Sequence, residues 1–438
     1  MNPASPITPS TICAVATAQG GAIAIIRISG PEAIAIADSL FLSPHHHTLA
    51  TSQPQHTLFG TIVNPQNQEP IDEVLATAFR APHSYTGEDT VEFSCHVSAY
   101  ITQQILQHLI HQGCRMANPG EYTQRAFLSG RMDLSQAEAV ADLIASQTAA
   151  AHRVALRQMR GHFSHRLHTL RSRLLEMTSL LELELDFSEE DVEFADRQKL
   201  ITLATEIQTE LHRLSASFAT GNAIRNGIPV AIIGAPNVGK STLLNQILGD
   251  DKAIVSDIQG TTRDTIEDTI TIGGQLFRFI DTAGLRHTTD TIEQLGIQRS
   301  LQAAEKAQII ILITEPGVPY PDIPLRPDQH IIHITNKTDT FQALTGKGLD
   351  TLLKQLTSAT PTPSEDEVLI TNIRHKQALD LAHEAITRAI CSLHSDLSGD
   401  LVSEDLRLCL THLADILGSA ITPDETLQTI FSKFCIGK

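Results

Sequence analysis

Gly234-Ala235-Pro236-Asn237-Val238-Gly239-Lys240-Ser241 has the GxxxxGK[ST] spacing of a loop that cradles phosphates. Amides from Asn237 through Val238, Gly239, Lys240, Ser241 and Thr242 would converge on a β-phosphate, aided by the partial positive charge of a helix N-terminus. The Lys240 ammonium would reach the β- and γ-phosphates, and the Ser241 hydroxyl would ligate Mg²⁺. Asp281-Thr282-Ala283-Gly284 follows, an acidic residue for water-mediated contact to the metal and a glycine amide for the γ-phosphate. Asn336-Lys337-Thr338-Asp339 comes third. Its Asp339 carboxylate can accept two hydrogen bonds from the N1–H and exocyclic amine of guanine, a pair that adenine does not offer. Ser256-Asp257-Ile258-Gln259-Gly260-Thr261-Thr262 lies between the first two motifs, and Thr262 is the residue expected to complete a Mg²⁺ shell. Three motifs in this order, each after an apolar run, imply GTP binding and hydrolysis.

The residue after Asp281–Gly284 is Leu285, where many small GTPases carry a water-orienting glutamine. Leucine neither donates nor accepts, so another group must position water. Asn237 offers a carbonyl oxygen beside the phosphates and, with switch-loop carbonyls, could cage a monovalent cation. Glu293 is the candidate carboxylate for acting on water, although an exposed helical glutamate is by itself more often inert.

These motifs need elements to hold them. Strand signals at Pro229–Ile233, Leu276–Ile280, Ile309–Ile313 and His330–Ile334 alternate with helical patterns, which predicts a mainly parallel sheet covered on both faces. Residues 1–130 read as mixed α/β: Ala22–Ile28 is a strand run, and Val91, Phe93, Cys95 and Val97 alternate with Glu92, Ser94 and His96. From 131 the pattern is helical, with Leu167, Leu170, Leu174, Met177 and Leu181 as a buried stripe and Ser135–Glu138 as a capping box. Helical sequence returns after Pro361-Thr362-Pro363, with Ala378, Leu381, Ala385, Ile386, Ala389, Ile390 and Leu393 on one face. The expected organisation is therefore an α/β domain at 1–130, a helical domain from 131–225 and 375–438, and a Ras-like P-loop domain at 226–374 inserted into it. His45-His46-His47 reads as a solvated loop, and the acidic run at 186–193 as a solvated turn.

A net charge of −18 argues against holding nucleic acid through the overall field, so a local basic patch or a basic partner would be needed to bring RNA in. Aromatics at 4% with no Trp argue against a base-stacking surface. None of the six cysteines forms a CxxC pair, which disfavours a zinc or dithiol site and fits a reducing compartment. Met1–Ser10 lacks a charged start and apolar core, and no 18-residue apolar run occurs, so a cytoplasmic protein is expected.

Several blocks make the chain resemble, nearly end to end, the MnmE/TrmE family of bacterial tRNA uridine-34 modification GTPases. They are Ile25–Gly30, Ser84–Asp89, Pro119–Leu128 (PGEYTQRAFL), Met132–Ala139, the nucleotide motifs and the terminal Phe434-Cys435-Ile436-Gly437-Lys438. The resemblance implies an N-terminal folate-binding domain, a helical domain and an inserted G domain, with a homodimer joined through the N-terminal domains. It implies K⁺ held by the Asn237 side chain and carbonyls of Ser256, Ile258 and Thr261, and Glu293 as catalytic glutamate. It also implies a flavoprotein partner, MnmG. The complex would install a carboxymethylaminomethyl or aminomethyl group at C5 of the wobble uridine of tRNA, with 5-formyl- or methylene-tetrahydrofolate supplying the one-carbon unit. Arg27, Glu92, Arg131 and Lys438 would contact the folate, the cations suiting its glutamate tail and the carboxylate its pterin. The chain departs from the family at Arg131 (usually Lys), Val97-Ser98 (usually Gly-Gly), Gln19 (usually Arg) and Gln342 (usually Ser), where the Ala343 amide remains available for guanine. Two rivals share the G motifs: a regulatory or ribosome-assembly GTPase, which would lack the N-terminal blocks, and a folate-binding protein with a vestigial G domain.

Overall fold

The computed structural model describes residues 10–18, 20–186, 197–249, 268–280, 301–320, 324–327, 329–360, 367–395, 398–419, 424–432, 434–435 and 437. The chain divides into two compact units, one of residues 1–141, 158–168 and 413–438, the other of 142–157 and 169–412.

The first unit is built on strands β1 (Ile12–Val15), β2 (Ile23–Ser29), β3 (Phe41–Leu42), β4 (Thr57–Val63), β5 (Pro70–Phe79), β6 (Thr90–His96) and β7 (Arg115–Met116), in spatial order β3-β4-β5-β6-β2-β1-β7. Alternation decides its faces. Ala24, Ile26 and Ile28 of β2, Val91, Phe93 and Cys95 of β6, and Val74, Ala76 and Ala78 of β5 are buried together. Helices α1 (Ala33–Leu40) and α2 (Ala99–His111) cover that face, adding Ile34, Leu40, Ile105 and Leu109. The other face carries Arg27, Glu92 and Ser94, and leaves Phe59 and Leu75 exposed as directly paired residues of β4 and β5. Helices α3 (Glu121–Leu128), α4 (Leu134–Ala145) and α13 (Asp424–Phe431) meet through Leu134, Ala137, Leu427, Phe431 and Phe434, bringing the C-terminal segment to this unit.

At the start of α4 the structure corrects the expected cap. Asp133, not Ser135, accepts from the Gln136 amide at 3.0 Å, and Gln136 Oε1 accepts from the Asp133 amide at 2.9 Å. The box is thus Asp133–Gln136, and Ser135 is fully buried inside the first turn. A carboxylate two residues earlier takes the capping role, and the Ser135 hydroxyl donates to that same Asp133 oxygen at 2.7 Å rather than capping an amide.

Helices α5 (Ala149–Met159) and α6 (His162–Asp186) follow, and Leu167, Leu170, Leu174, Met177 and Leu181 are buried as the periodicity predicts. Helix α7 (Arg197–Ala216) packs along α11 (Ile373–His394), with Gln208 Nε2 donating to Thr387 Oγ1 at 2.8 Å. The buried face of α11 runs through His375, Leu379, Ala382, Ile386, Ala389 and Leu393. Leu381 is 47% exposed, a correction to the expected stripe: the face is set from His375 and Leu379, one turn apart, and Leu381 falls outside it. Helix α12 (Gly399–Leu417) lies farther along the chain.

In sequence between α7 and α11 stand α8 (Phe218–Asn226) and a five-stranded sheet of β8 (Ile228–Ile233), β9 (Asp268–Ile272), β10 (Gln275–Phe279), β11 (Ile309–Thr314) and β12 (His330–Thr335). Its order is β12-β11-β8-β10-β9, parallel except for β9, an edge strand that the sequence reading missed. Helices α9 (Lys240–Leu248) and α10 (Leu349–Ser358) cover one face through Leu243, Leu244, Ile247, Leu352 and Leu356. Ala303, Ala304 and Ala307 cover the other. The chain enters and leaves side by side: the Ser217 hydroxyl accepts from the Ile370 amide at 3.1 Å. Among the described residues no helix is long and apolar enough to cross a membrane.

Candidate functional site

Strand β8 is buried at every residue and ends at Ile233, so the chain leaves the middle of the sheet at Gly234. A Cβ there would collide with the Ile313 carbonyl of β11. Asn237 at φ +63° and Gly239 at φ +99° turn the loop back on itself. A Cβ on Gly239 would stand 2.5 Å from Asn336 Nδ2. Helix α9 then starts at Lys240 with no side-chain cap and no acidic residue in its first turn. Its first amides are left for an anion, and the helix dipole favours one.

The Lys240 ammonium donates to the carbonyls of Gly234 and Ala235, each at 2.8 Å. Burial pushes its pKa down. A partly desolvated cation across the loop is set to pair with phosphate oxygens. Asn237 is exposed on the loop, while Ser241 and Thr242 are half-buried in the first turn of α9. A hydroxyl there fits a Mg²⁺ ligand, and an exposed carboxamide in a left-handed turn fits a K⁺ ligand.

At the end of β12, Asn336 is 4% exposed. Its Nδ2 donates to the Val238 carbonyl at 2.8 Å, and its Oδ1 accepts from the Ala343 amide at 2.9 Å. One carboxamide thus closes the loop between β12 and α10 on itself and ties it to the phosphate loop. The Ala343 amide, expected to serve guanine, is spent on Asn336, because a buried carboxamide oxygen needs a donor. Thr338 Oγ1 closes the turn by accepting from the Phe341 amide at 3.1 Å, and Lys337 pairs with Glu315 at 2.6 Å. Asp339 is exposed and has no hydrogen-bond partner among the described residues. Ser256–Thr262, Asp281–Gly284 and Glu293 lie outside the described residues, as does the acidic run that follows Asp186.

A second polar cluster sits on the open face of the N-terminal sheet. Arg27 of β2 and Glu92 of β6 are register partners, and Arg27 Nε donates to Glu92 Oε1 at 2.7 Å. Arg27 also donates to the Gly437 carbonyl at 3.2 Å. Gly437, at φ +94°, presses against the Val15 carbonyl and Ala16, closer than any side chain would permit. The tail therefore reaches Arg27, while Lys438 lies outside the described residues. Arg131 is exposed at the end of α3, packed near Gly87, and is not among the groups bonded to Arg27 or Glu92. Sequence reasoning missed Tyr85 and Tyr122, whose rings lie 5.6 and 5.5 Å from the Arg27 guanidinium. The Tyr122 hydroxyl donates to the Arg27 carbonyl at 2.8 Å. The chain has four tyrosines, and these two fall inside the SYTGED and PGEYTQRAFL blocks, which was the available signal.

Those blocks are locked together by charge. Arg125 donates to Glu88 Oε2 at 2.9 Å and to Glu121 Oε1 at 3.0 Å, and Arg115 pairs with Glu121 as well. Burial raises the Glu121 pKa, but the hydrogen bonds from Arg115, the Asn118 amide and Arg125 outweigh it and hold the carboxyl below its ordinary range. Cys435 is exposed, whereas Cys95 is buried and pushed up to about 11.

A buried parallel strand, a glycine loop and a helix opening on Lys and Ser define a P-loop nucleotide-binding protein. A model of the GTP-binding protein TrmE N-terminus matches residues 11–131, and a model of the MnmE helical domain matches residues 134–435. The tRNA modification GTPase MnmE of Parabacteroides distasonis is 53% identical over 98% of this chain and 100% of its own length. That of Bacteroides fragilis is 52% identical over 98% and 99%, and that of Christiangramia forsetii 47% over 98% and 99%. The chain belongs to the MnmE/TrmE family of tRNA modification GTPases.

Proposed function

We propose that this chain is a K⁺-stimulated GTP hydrolase that works with the flavoprotein MnmG on the wobble uridine of tRNA, in the cytoplasm. The observation that carries this reading is the uncapped first turn of α9 beneath a loop pinned by Asn336, in a chain similar along nearly its whole length to tRNA modification GTPases.

Residues 226–374 act as an inserted G domain. Asn237–Thr242 hold the phosphates, with Lys240 moving from loop carbonyls to the β- and γ-oxygens. Asn336 holds the loops while Asp339 reads guanine. Ser241 and Thr262 would hold Mg²⁺, and Asn237, Ser256, Ile258 and Thr261 would hold K⁺. Bound there, the two ions neutralise charge on the phosphates. Asp281–Gly284 senses the γ-phosphate, and Glu293 orients the attacking water.

Residues 1–130 form the folate-binding and dimerisation domain, and 131–225 with 375–438 the helical domain. Arg27, Glu92, Arg131 and Lys438 take a tetrahydrofolate one-carbon donor; the Arg27–Glu92 pair, framed by two tyrosines and the chain's C-terminal segment, supports this. The exposed Phe59 and Leu75 on the open face support a homodimer through this domain.

The test is nucleoside analysis of tRNA from cells lacking the protein. Wobble uridine without its C5 group, restored by the wild-type chain and not by Lys240→Ala, is the expected result. Full modification in the deletion strain overturns the reading.

A further inference from the structure

Glu315 follows β11 and opens the run Glu315-Pro316-Gly317-Val318. The Val318 amide donates to the Glu315 carbonyl at 3.1 Å, and Gly317 stands at φ +82°. Proline second and glycine third at positive φ make a type II turn, with the φ of Pro316 locked by its ring. The Thr314 hydroxyl braces the turn by donating to the Val318 carbonyl at 2.8 Å. The Glu315 side chain therefore leaves from a stiff corner.

Its partner is Lys337, whose ammonium lies 2.6 Å from Glu315 Oε1. Lys337 stands in the third nucleotide motif, between buried Asn336 and exposed Asp339. It takes φ +59°, a left-handed conformation that costs a residue with a Cβ. The Asn336 amide donates to the Thr314 carbonyl at 2.8 Å, so the bonding between β11 and β12 continues up to the residues beside the pair. The Lys337 side chain is 61% exposed. A lysine so exposed otherwise samples many rotamers, and an exposed ion pair adds little to folding stability. What the pair does fix is the direction of the Lys337 stem, next to the carboxylate that reads guanine.

We propose that Glu315 is a positioning residue of the guanine site: it holds the Lys337 ammonium so that the Lys337 stem stands against the flat face of the base whose edge Asp339 reads. This rests on the guanine-binding reading above and deepens it. A purine face is planar and largely apolar, and a lysine stem is the apolar part of a side chain whose head stays in water. Asp339 grips only an edge, and a wall already in place lowers the cost of ordering on binding. The sign of the effect separates this role from one of charge. Glu315 is an anion near a site for a polyanion, so through charge alone its removal would tighten nucleotide binding. Through positioning, its removal weakens binding.

Full-length protein is titrated with GDP and Mg²⁺ by calorimetry, and GDP release is timed. Glu315→Ala should raise Kd roughly three- to tenfold, the range for freeing one long side chain, through faster release. Glu315→Gln, which keeps an acceptor of the same shape, should weaken binding less. Lys337→Ala should weaken it at least as much as Glu315→Ala, and combining the two should add nothing further. With GTP as substrate, the Glu315→Ala loss should fall on KM rather than on kcat. Unchanged or tighter GDP binding in Glu315→Ala overturns the proposal, and so does an additive double variant. Either result leaves the nucleotide reading standing, since the wild-type chain still binds GDP. A wild-type chain that binds no GDP overturns both.

Discussion

Asn336 and Val238 are 98 residues apart in sequence and joined by one hydrogen bond of 2.8 Å, from carboxamide Nδ2 to carbonyl oxygen. The other end of the same carboxamide accepts from Ala343. The shape of the phosphate loop therefore depends on the loop that follows β12, and the two halves of a nucleotide site are mechanically one piece.

Replacing Asn336 with Ala should strand a buried carbonyl and a buried amide. Each costs about 1–3 kcal/mol, so thermal melting should fall measurably along with GTP affinity. Asp339→Asn should behave oppositely, because no hydrogen bond or ion pair among the described residues uses that exposed carboxylate. Its melting temperature should match wild type while calorimetry shows guanine selectivity lost. Equal melting of both variants would contradict the division of labour.

Lys240→Ala removes a desolvated cation whose present partners are two loop carbonyls. Folding stability should hold or rise slightly. GTP turnover should drop at least 100-fold, roughly 3 kcal/mol in the barrier. Turnover within tenfold of wild type would remove Lys240 from the phosphate site.

Potassium offers a separate check on Asn237, which the loop leaves exposed in a left-handed turn. Hydrolysis measured in KCl should exceed that in NaCl, and Asn237→Ala should abolish the difference. Equal rates in the two salts for wild type would exclude a K⁺ role.

On the N-terminal sheet, Arg27→Ala breaks the bond to Glu92 and the anchor to Gly437. Affinity for 5-formyltetrahydrofolate should fall more than tenfold by calorimetry, about 1.4 kcal/mol or more. Tyr122→Phe, which removes only the hydroxyl bonded to the Arg27 carbonyl, should lower it less. Unaltered affinity in Arg27→Ala would take the pair out of any folate site.

Glu121 gives this unit a pH dependence. Its carboxyl titrates below the ordinary range in the folded state, so the unfolded chain binds more protons in that window. The stabilisation is complete above the unfolded value, about 4.3, and is lost as pH falls through the folded one. Protection factors of α3 amides, taken relative to the intrinsic exchange rate at each pH, should fall there on acidification. Glu121→Ala should flatten that dependence and cost about 3 kcal/mol, since Arg125, 12% exposed, loses a buried partner. A variant with the wild-type acid profile would refute the assignment.

Local chemistry was legible in the sequence. Strands β8 and β11 are near-continuous apolar runs buried at every residue, and a strand buried on both faces has no polar side to interrupt the pattern; β10 and β12 mix apolar residues with Arg278, His330 and His333. The loop between β8 and α9 was equally plain, because its glycines answer to backbone geometry that few other residues tolerate. The α6 stripe followed from period alone. The cap of α4 and the face of α11 came out displaced, since neighbouring residues offer competing hydrogen bonds and near-equal burial, and packing chooses between them.

Partners across distance were decided only when the chain closed. Nothing local says that Glu92 stands opposite Arg27, that Gly437 lands on the same guanidinium, or that Asn336 reaches Val238. Strand register and loop closure set those pairings, and both are properties of the whole packed core. Residue types at their spacings determined which chemistry the chain carries; tertiary packing determined which groups stand together to perform it.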